Sequence, residues 1–179
     1  GTTGPLVGAE GDISLDDFTS GTETTIGEGK SEKVLGVKVS ADDGSDVAIN
    51  TMKIVIDQPN VGAGESTRLE RYIEGVNIYM DSTKVGSVDV SDFSKSGTVY
   101  TKSVSLSNAV VRRDANAKFY VEVEAKSDIS SELLDNTWKL GLTSVRFTDA
   151  MGVVNTITVD TSDVALITFE FESATENDK

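Results

Sequence analysis

Hydrophobic and polar positions alternate with period two along most of the chain. Leu35, Val37, Val39 and Ala41 alternate with Gly36, Lys38 and Ser40, as in a strand with one face buried. Val47 and Ile49 continue in one phase, and Met52, Ile54 and Ile56 take the other. A slip of one residue there places a β-bulge near Asn50-Thr51, or marks a strand that changes sheets. Val76, Ile78 and Met80 lead through Asp81-Ser82-Thr83-Lys84 to Val85, Val88 and Val90, a hairpin with a loop of about four residues. Tyr100, Val104 and Leu106 share a face, with Lys102 the exception. Phe119, Val121, Val123 and Ala125 alternate with Tyr120, Glu122 and Glu124. Trp138, Leu140 and Leu142, followed by Val145 and Phe147, form another set. Val153, Asn155, Ile157 and Val159, then Ala165, Ile167, Phe169 and Phe171, complete the series.

Half-polar strands of this kind belong to antiparallel sheets, because strands of parallel sheets are apolar on both faces. Turn signals separate them, as at Asp42-Asp43-Gly44-Ser45-Asp46 and Asp149-Ala150-Met151-Gly152, which together predict a β-sandwich. Two short segments read as helical crossovers. Thr67-Arg68-Leu69-Glu70 fits a capping box, with Leu69 and Ile73 four apart before Gly75 as a C-cap. Ser130 to Asp135 has room for one turn. A chain of 179 residues makes one domain, here a sandwich over 31–179 behind an extended N-terminal arm over 1–30.

That arm is rich in Gly, Thr and acids, the composition of a disordered leader. Within it Ile13 and Leu15 alternate with Asp12, Ser14 and Asp16, and Phe18 follows. Gly27 and Gly29 then read as a hinge. A strand-like ribbon on a tether suits donation to the sheet of a neighbouring copy, with Ile13, Leu15 and Phe18 as the subunit interface. The same periodicity describes a first strand folded back in cis, so both readings stand.

Composition narrows the chemistry. Without His or Cys the chain has no thiol nucleophile, no Cys/His zinc site and no triad with a His base. Lys+Arg 16 against Asp+Glu 30, a net charge of -14, opposes binding to nucleic acid, which needs cationic side chains on the phosphates. No apolar run approaches the roughly 18 residues of a membrane span. The start at Gly1, without a charged and then apolar leader, reads as a processed chain or a fragment. Lack of Cys fits a reducing compartment or a prokaryotic surface protein that does without disulfides, and acidity with abundant Ser and Thr leans toward an extracellular, cell-surface setting.

Asp42, Asp43 and Asp46 crowd one turn, and Asp160 and Asp163 flank another loop. Carboxylates and loop carbonyls are calcium ligands, so the first cluster is a candidate Ca²⁺ site, with solvated turns as the alternative and the EF-hand spacing absent. Paired carboxylates also serve glycosidases, but thirty acids guarantee pairs by chance, and no enzyme is expected. Trp138, Tyr79 and Tyr100 suggest a sugar-stacking platform, although Trp138 lies in phase with the core and Tyr120 is the better exposed ring. A Lys38–Asn155 isopeptide crosslink is disfavoured, because Lys38 lies on the polar phase of its strand.

The runs Val34-Leu35-Gly36-Val37-Lys38-Val39, Gly75-Val76-Asn77-Ile78-Tyr79-Met80-Asp81, Ala117-Lys118-Phe119-Tyr120-Val121-Glu122-Val123 and Leu142-Thr143-Ser144-Val145-Arg146-Phe147 resemble Ig-like β-sandwich modules of prokaryotic cell-surface and filament proteins. The resemblance implies an all-β, antiparallel Ig-like sandwich of Greek-key type and a surface or filament location, and transfers no functional residue. With the arm it gives the leading expectation: a pilus-like filament or surface-layer subunit polymerising with itself, head to tail, by donor-strand complementation. A carbohydrate-binding or adhesin module is the alternative.

Overall fold

The computed structural model describes residues 5–58, 66–134 and 136–174. Among the described residues the strands are β1 (Ile13–Phe18), β2 (Thr25–Gly27), β3 (Ser31–Ala41), β4 (Val47–Asp57), β5 (Ile73–Met80), β6 (Thr83–Asp89), β7 (Ser94–Ser96), β8 (Val99–Ser105), β9 (Val110–Val111), β10 (Asn116–Ala125), β11 (Thr137–Asp149), β12 (Val154–Thr158) and β13 (Ile167–Glu172). They form two sheets. One has the order β1-β3-β10-β5-β6, and the other β2-β13-β11-β4-β8-β7, with β12 paired to β11 and β9 to β4. Inward side chains of both sheets enclose one core, in which Trp138, Tyr72, Phe119, Phe147 and Phe169 are the largest fully buried residues. The molecule is thus an all-β sandwich, as the alternation predicts.

The phase slip in β4 is a bulge. Thr51 stands opposite Arg146 and Ile49 opposite Phe147, leaving Asn50 as the extra residue. Its side chain bonds Thr148 Oγ1 at 2.7 Å. A second bulge at Thr143 in β11 lets Leu142 and Val145 both face the core. The 81–84 connection is tighter than expected. Strand β6 begins at Thr83, opposite Met80, so only Asp81 and Ser82 form the turn, with Asp81 at φ 54.

Two expectations change. The 67–75 segment is not a helix: Leu69–Arg71 makes one 3-10 turn, and Ile73 already begins β5. The segment 5–30 is not an extended arm in this chain. Strand β1 pairs antiparallel with β3, Ile13 opposite Ala41 and Leu15 opposite Val39, and β2 pairs parallel with β13. Burial of Ile13 and Leu15, each 8% exposed, against the otherwise open edge of β3 accounts for this placement: the apolar face needs a sheet, and its own is the nearest.

Candidate functional site

The N-terminal segment is fixed by two buried carboxylates. Asp46, 3% exposed, accepts from Val7 N at 2.8 Å and Arg112 Nη1 at 3.0 Å through Oδ2, and from Arg113 N at 2.8 Å through Oδ1. Its own N–H donates to Val7 O at 2.9 Å. The Arg113 N–H above all, helped by Val7 and Arg112, holds the Asp46 carboxyl below its usual value despite burial. Asp149, 1% exposed, accepts from Gly11 N at 3.2 Å, and from Met151 N and Val153 N at 2.9 and 3.1 Å. These bonds tie residues 7–11 to the 44–46 turn and to the β11–β12 connection.

The clasp bears on the candidate calcium ligands. Asp46 turns both oxygens to protein donors. Asp42 Oδ1 accepts from Gly44 N at 3.0 Å within its own turn, and Asp43 is exposed. Asp160 likewise closes its own loop, accepting from Ser162 N at 2.9 Å, which lowers its pKa. The structure does not gather these acids around one point: among the described residues no group of three or more acids is placed to hold a metal ion. Lys38 in β3 and Asn155 in β12 stand in different sheets.

The aromatic candidates divide between core and surface. Trp138 packs edge-on against Tyr72 and Tyr100, at 5.2 and 6.2 Å between ring centroids. The Tyr100 hydroxyl accepts from Leu69 N and donates to Thr67 O. Both rings are buried and belong to the core. Tyr79, Tyr120 and Phe18 instead form a row across β5, β10 and β1: Tyr120 opposes both Tyr79 and Gly36, and Gly36 opposes Phe18. Phe18 leans over Gly36 to meet Tyr120 at 5.3 Å, nearly perpendicular. Lys33 Nζ lies 4.8 Å from the Tyr79 ring and 4.7 Å from that of Tyr120, and Lys118 Nζ lies 5.5 Å from that of Phe18. Of the three proposed arm contacts, Ile13 and Leu15 therefore enter the core, and Phe18 turns to this outer row. The sequence singled out Tyr79, Tyr120 and Phe18 separately but not their grouping, because the three lie far apart in the chain and only sheet pairing brings them together.

A groove follows the open side of the sandwich between β1 and β12. One part, about 470 Å³, is lined by Glu10, Asp12, Asp42 and Ile157 among others. The next, about 320 Å³, is lined by Ile13, Leu15, Asp16, Ile157 and Asp163 among others. Beyond it β1 meets the β12–β13 connection, where Asp17 N donates to Asp163 O at 3.1 Å and Asp17 Oδ2 accepts from Ala165 N at 3.0 Å.

No family model matches the chain, and no curated protein does. Among solved structures, the chain is similar to one described as AvmM, which catalyses macrocyclization in alchivemycin A biosynthesis. The identity is 10%, the TM-score 0.45, and the match covers 94% of this chain and 96% of that one. A non-cellulosomal cohesin from the archaeon Archaeoglobus fulgidus is 17% identical at a TM-score of 0.38, over 93% and 95% of the two chains. The major pilin subunit BcpA of Bacillus cereus, in a D312A form, is 9% identical at a TM-score of 0.34, over 90% of this chain and 40% of the pilin. These likenesses are too distant to carry function from any of the three to this chain.

Proposed function

We propose that the chain is a non-catalytic structural subunit of an extracellular filament or surface layer, and that copies join through β1. The supporting observation is the way the N-terminal ribbon is attached. Strands β1 and β2 lie in pairing slots on β3 and β13. The ribbon continues into the body through one turn at 28–30, closed by Lys30 N to Gly27 O and Gly29 N to Lys126 O. A neighbour's ribbon in the same slots makes the same bonds, so exchange alters few contacts and is governed by the hinge and by concentration. Each slot filled buries Ile13 and Leu15, worth about 1.5–3 kcal/mol apiece. Exchange in one direction is a heterologous contact, and heterologous contacts that do not close build filaments. A net charge of -14 opposes association, so salt or divalent cations favour it.

Cysteine pairing tests this cleanly, because the natural chain contains none. Ser14 and Ser40 are cross-strand partners. Chains carrying Ser14→Cys, mixed with chains carrying Ser40→Cys and treated with an oxidant under assembly conditions, are expected to give dimers joined by a disulfide between positions 14 and 40, and the double variant a ladder. If the double variant links only within single chains and the mixture stays unlinked, the exchange reading is wrong.

A second reading, a sugar-binding or adhesive module, draws support from the row of Tyr79, Tyr120 and Phe18, which offers rings on an outer sheet face. It expects a monomer that retains glycans on an array and loses them with Tyr120→Ala.

A further inference from the structure

We infer that the groove between β1 and β12 is a docking site for an extended, positively charged segment of a different protein, which pairs with the open strand edges. This site is separate from the assembly proposed above, since the groove is the same whether its β1 comes from the same chain or from a neighbour.

Hydrogen-bond phase sets which groups face the groove. Asp42 N donates to Asp12 O, so even-numbered residues of β1 bond β3, and Asp17 N points the other way, to Asp163 O. Antiparallel alternation then turns the main chain of Ile13 and Leu15 outward. The Ile13 N–H is taken by Asp12 Oδ1 at 2.8 Å, while Leu15 presents its N–H and C=O along the edge. On β12, Asp149 N donates to Val153 O and Val159 N to Thr143 O. Odd-numbered residues therefore bond β11, and Val154, Thr156 and Thr158 face away from it. Two open edges thus flank one groove, where the largely buried side chains of Ile13, Leu15 and Ile157 lie beside the polar Ser14, Asp16 and Thr158. This is the arrangement that strand addition uses.

Charge selects the occupant. The lining includes Glu10, Asp12, Asp16, Asp42 and Asp163 and no Lys or Arg. Like charges set edge to edge repel, a device by which sheets avoid pairing with their own copies. An acidic second copy is therefore disfavoured here. A segment alternating Lys or Arg with small or β-branched residues places its main chain on the edge and its cations against the carboxylates, with steered association as a consequence.

The test uses the intact protein and a fluorescein-labelled ten-residue peptide alternating Lys with Val and Thr, followed by anisotropy. A control peptide carries Glu in place of Lys. Binding of the Lys peptide is expected, at least tenfold tighter than the control, with affinity falling as salt rises. Hydrogen exchange at the Leu15 and Thr156 amides is expected to slow when the peptide is present. Thr156→Pro removes an outward N–H without touching the β11 ladder and should weaken binding at least tenfold, as should the pair Glu10→Gln and Asp16→Asn. Absence of binding overturns the proposal. So does binding that leaves both amides exchanging as before, or that survives Thr156→Pro, because attraction by charge alone then explains it.

Discussion

Replacing Asp46 by Asn removes the charge from the N-terminal clasp while keeping its shape. The carboxylate accepts three protein hydrogen bonds, two of them at Oδ2 from Val7 N and Arg112 Nη1. An amide keeps one oxygen, suited to Arg113 N, and sets an NH₂ against the other two donors. Bonds to a charged acceptor contribute about 1.5–3 kcal/mol each. Arg112 is half exposed and can turn to water, so the loss falls mainly on the Val7 bond and on the charge itself. The expected destabilisation is about 2–4 kcal/mol, measured by urea unfolding at neutral pH. The pH dependence supplies the sharper check. The folded pKa of Asp46 is depressed, so its contribution is complete above the unfolded value, about 3.9, and is lost as pH falls through the folded value. The gap between wild type and Asp46→Asn should therefore hold from neutral pH to about 4 and close below that. A gap under about 0.5 kcal/mol at pH 7, the level of ordinary surface changes, or one that persists unchanged into acid, would refute the reasoning.

Three other outcomes are expected. Gly36→Ala sets a methyl 2.8 Å from Phe18 O and 2.9 Å from the Phe18 ring, so it should destabilise by about 1–3 kcal/mol and abolish the Phe18–Tyr120 ring contact seen by proton nuclear Overhauser effects. Trp138→Ala empties the centre of the core and should cost about 3–5 kcal/mol, followed by circular dichroism because the chain's one Trp is removed. Adding calcium or a chelator to the dilute, unassociated protein should leave the melting temperature unchanged, since the oxygens of Asp46 are engaged by Val7, Arg112 and Arg113; a rise with calcium that is independent of protein concentration would show that the 42–46 turn binds it.

The strands were legible because burial on one face writes itself into alternation. Even the bulge at Asn50 left its mark, since an extra residue shifts the phase of everything after it. The 67–75 segment misled for a physical reason. Leu69 and Ile73 are both fully buried, but one lies in a 3-10 turn and the other opens β5. Gly75 is there because a Cβ would come 2.5 Å from Val88 O across the hairpin, not to cap a helix. Asp46 could not be assigned locally, as its partner Arg112 lies 66 residues away. An acid in an acidic turn reads the same whether it awaits a cation or already has one. Periodicity was equally silent about where Ile13 and Leu15 pair, because a strand has the same pattern in its own sheet or in another.

The parallel pairing of β2 with β13 joins segments from near the two ends of the described chain, Thr25 opposite Glu170 and Gly27 opposite Glu172. Opposing pulls on the chain just before β2 and just after β13 draw these two strands lengthwise in opposite directions. All the rungs between them are then loaded together and must break at once, whereas an antiparallel pair pulled from one end opens rung by rung. A fold held in this way resists stretching along these strands better than the three-residue contact suggests.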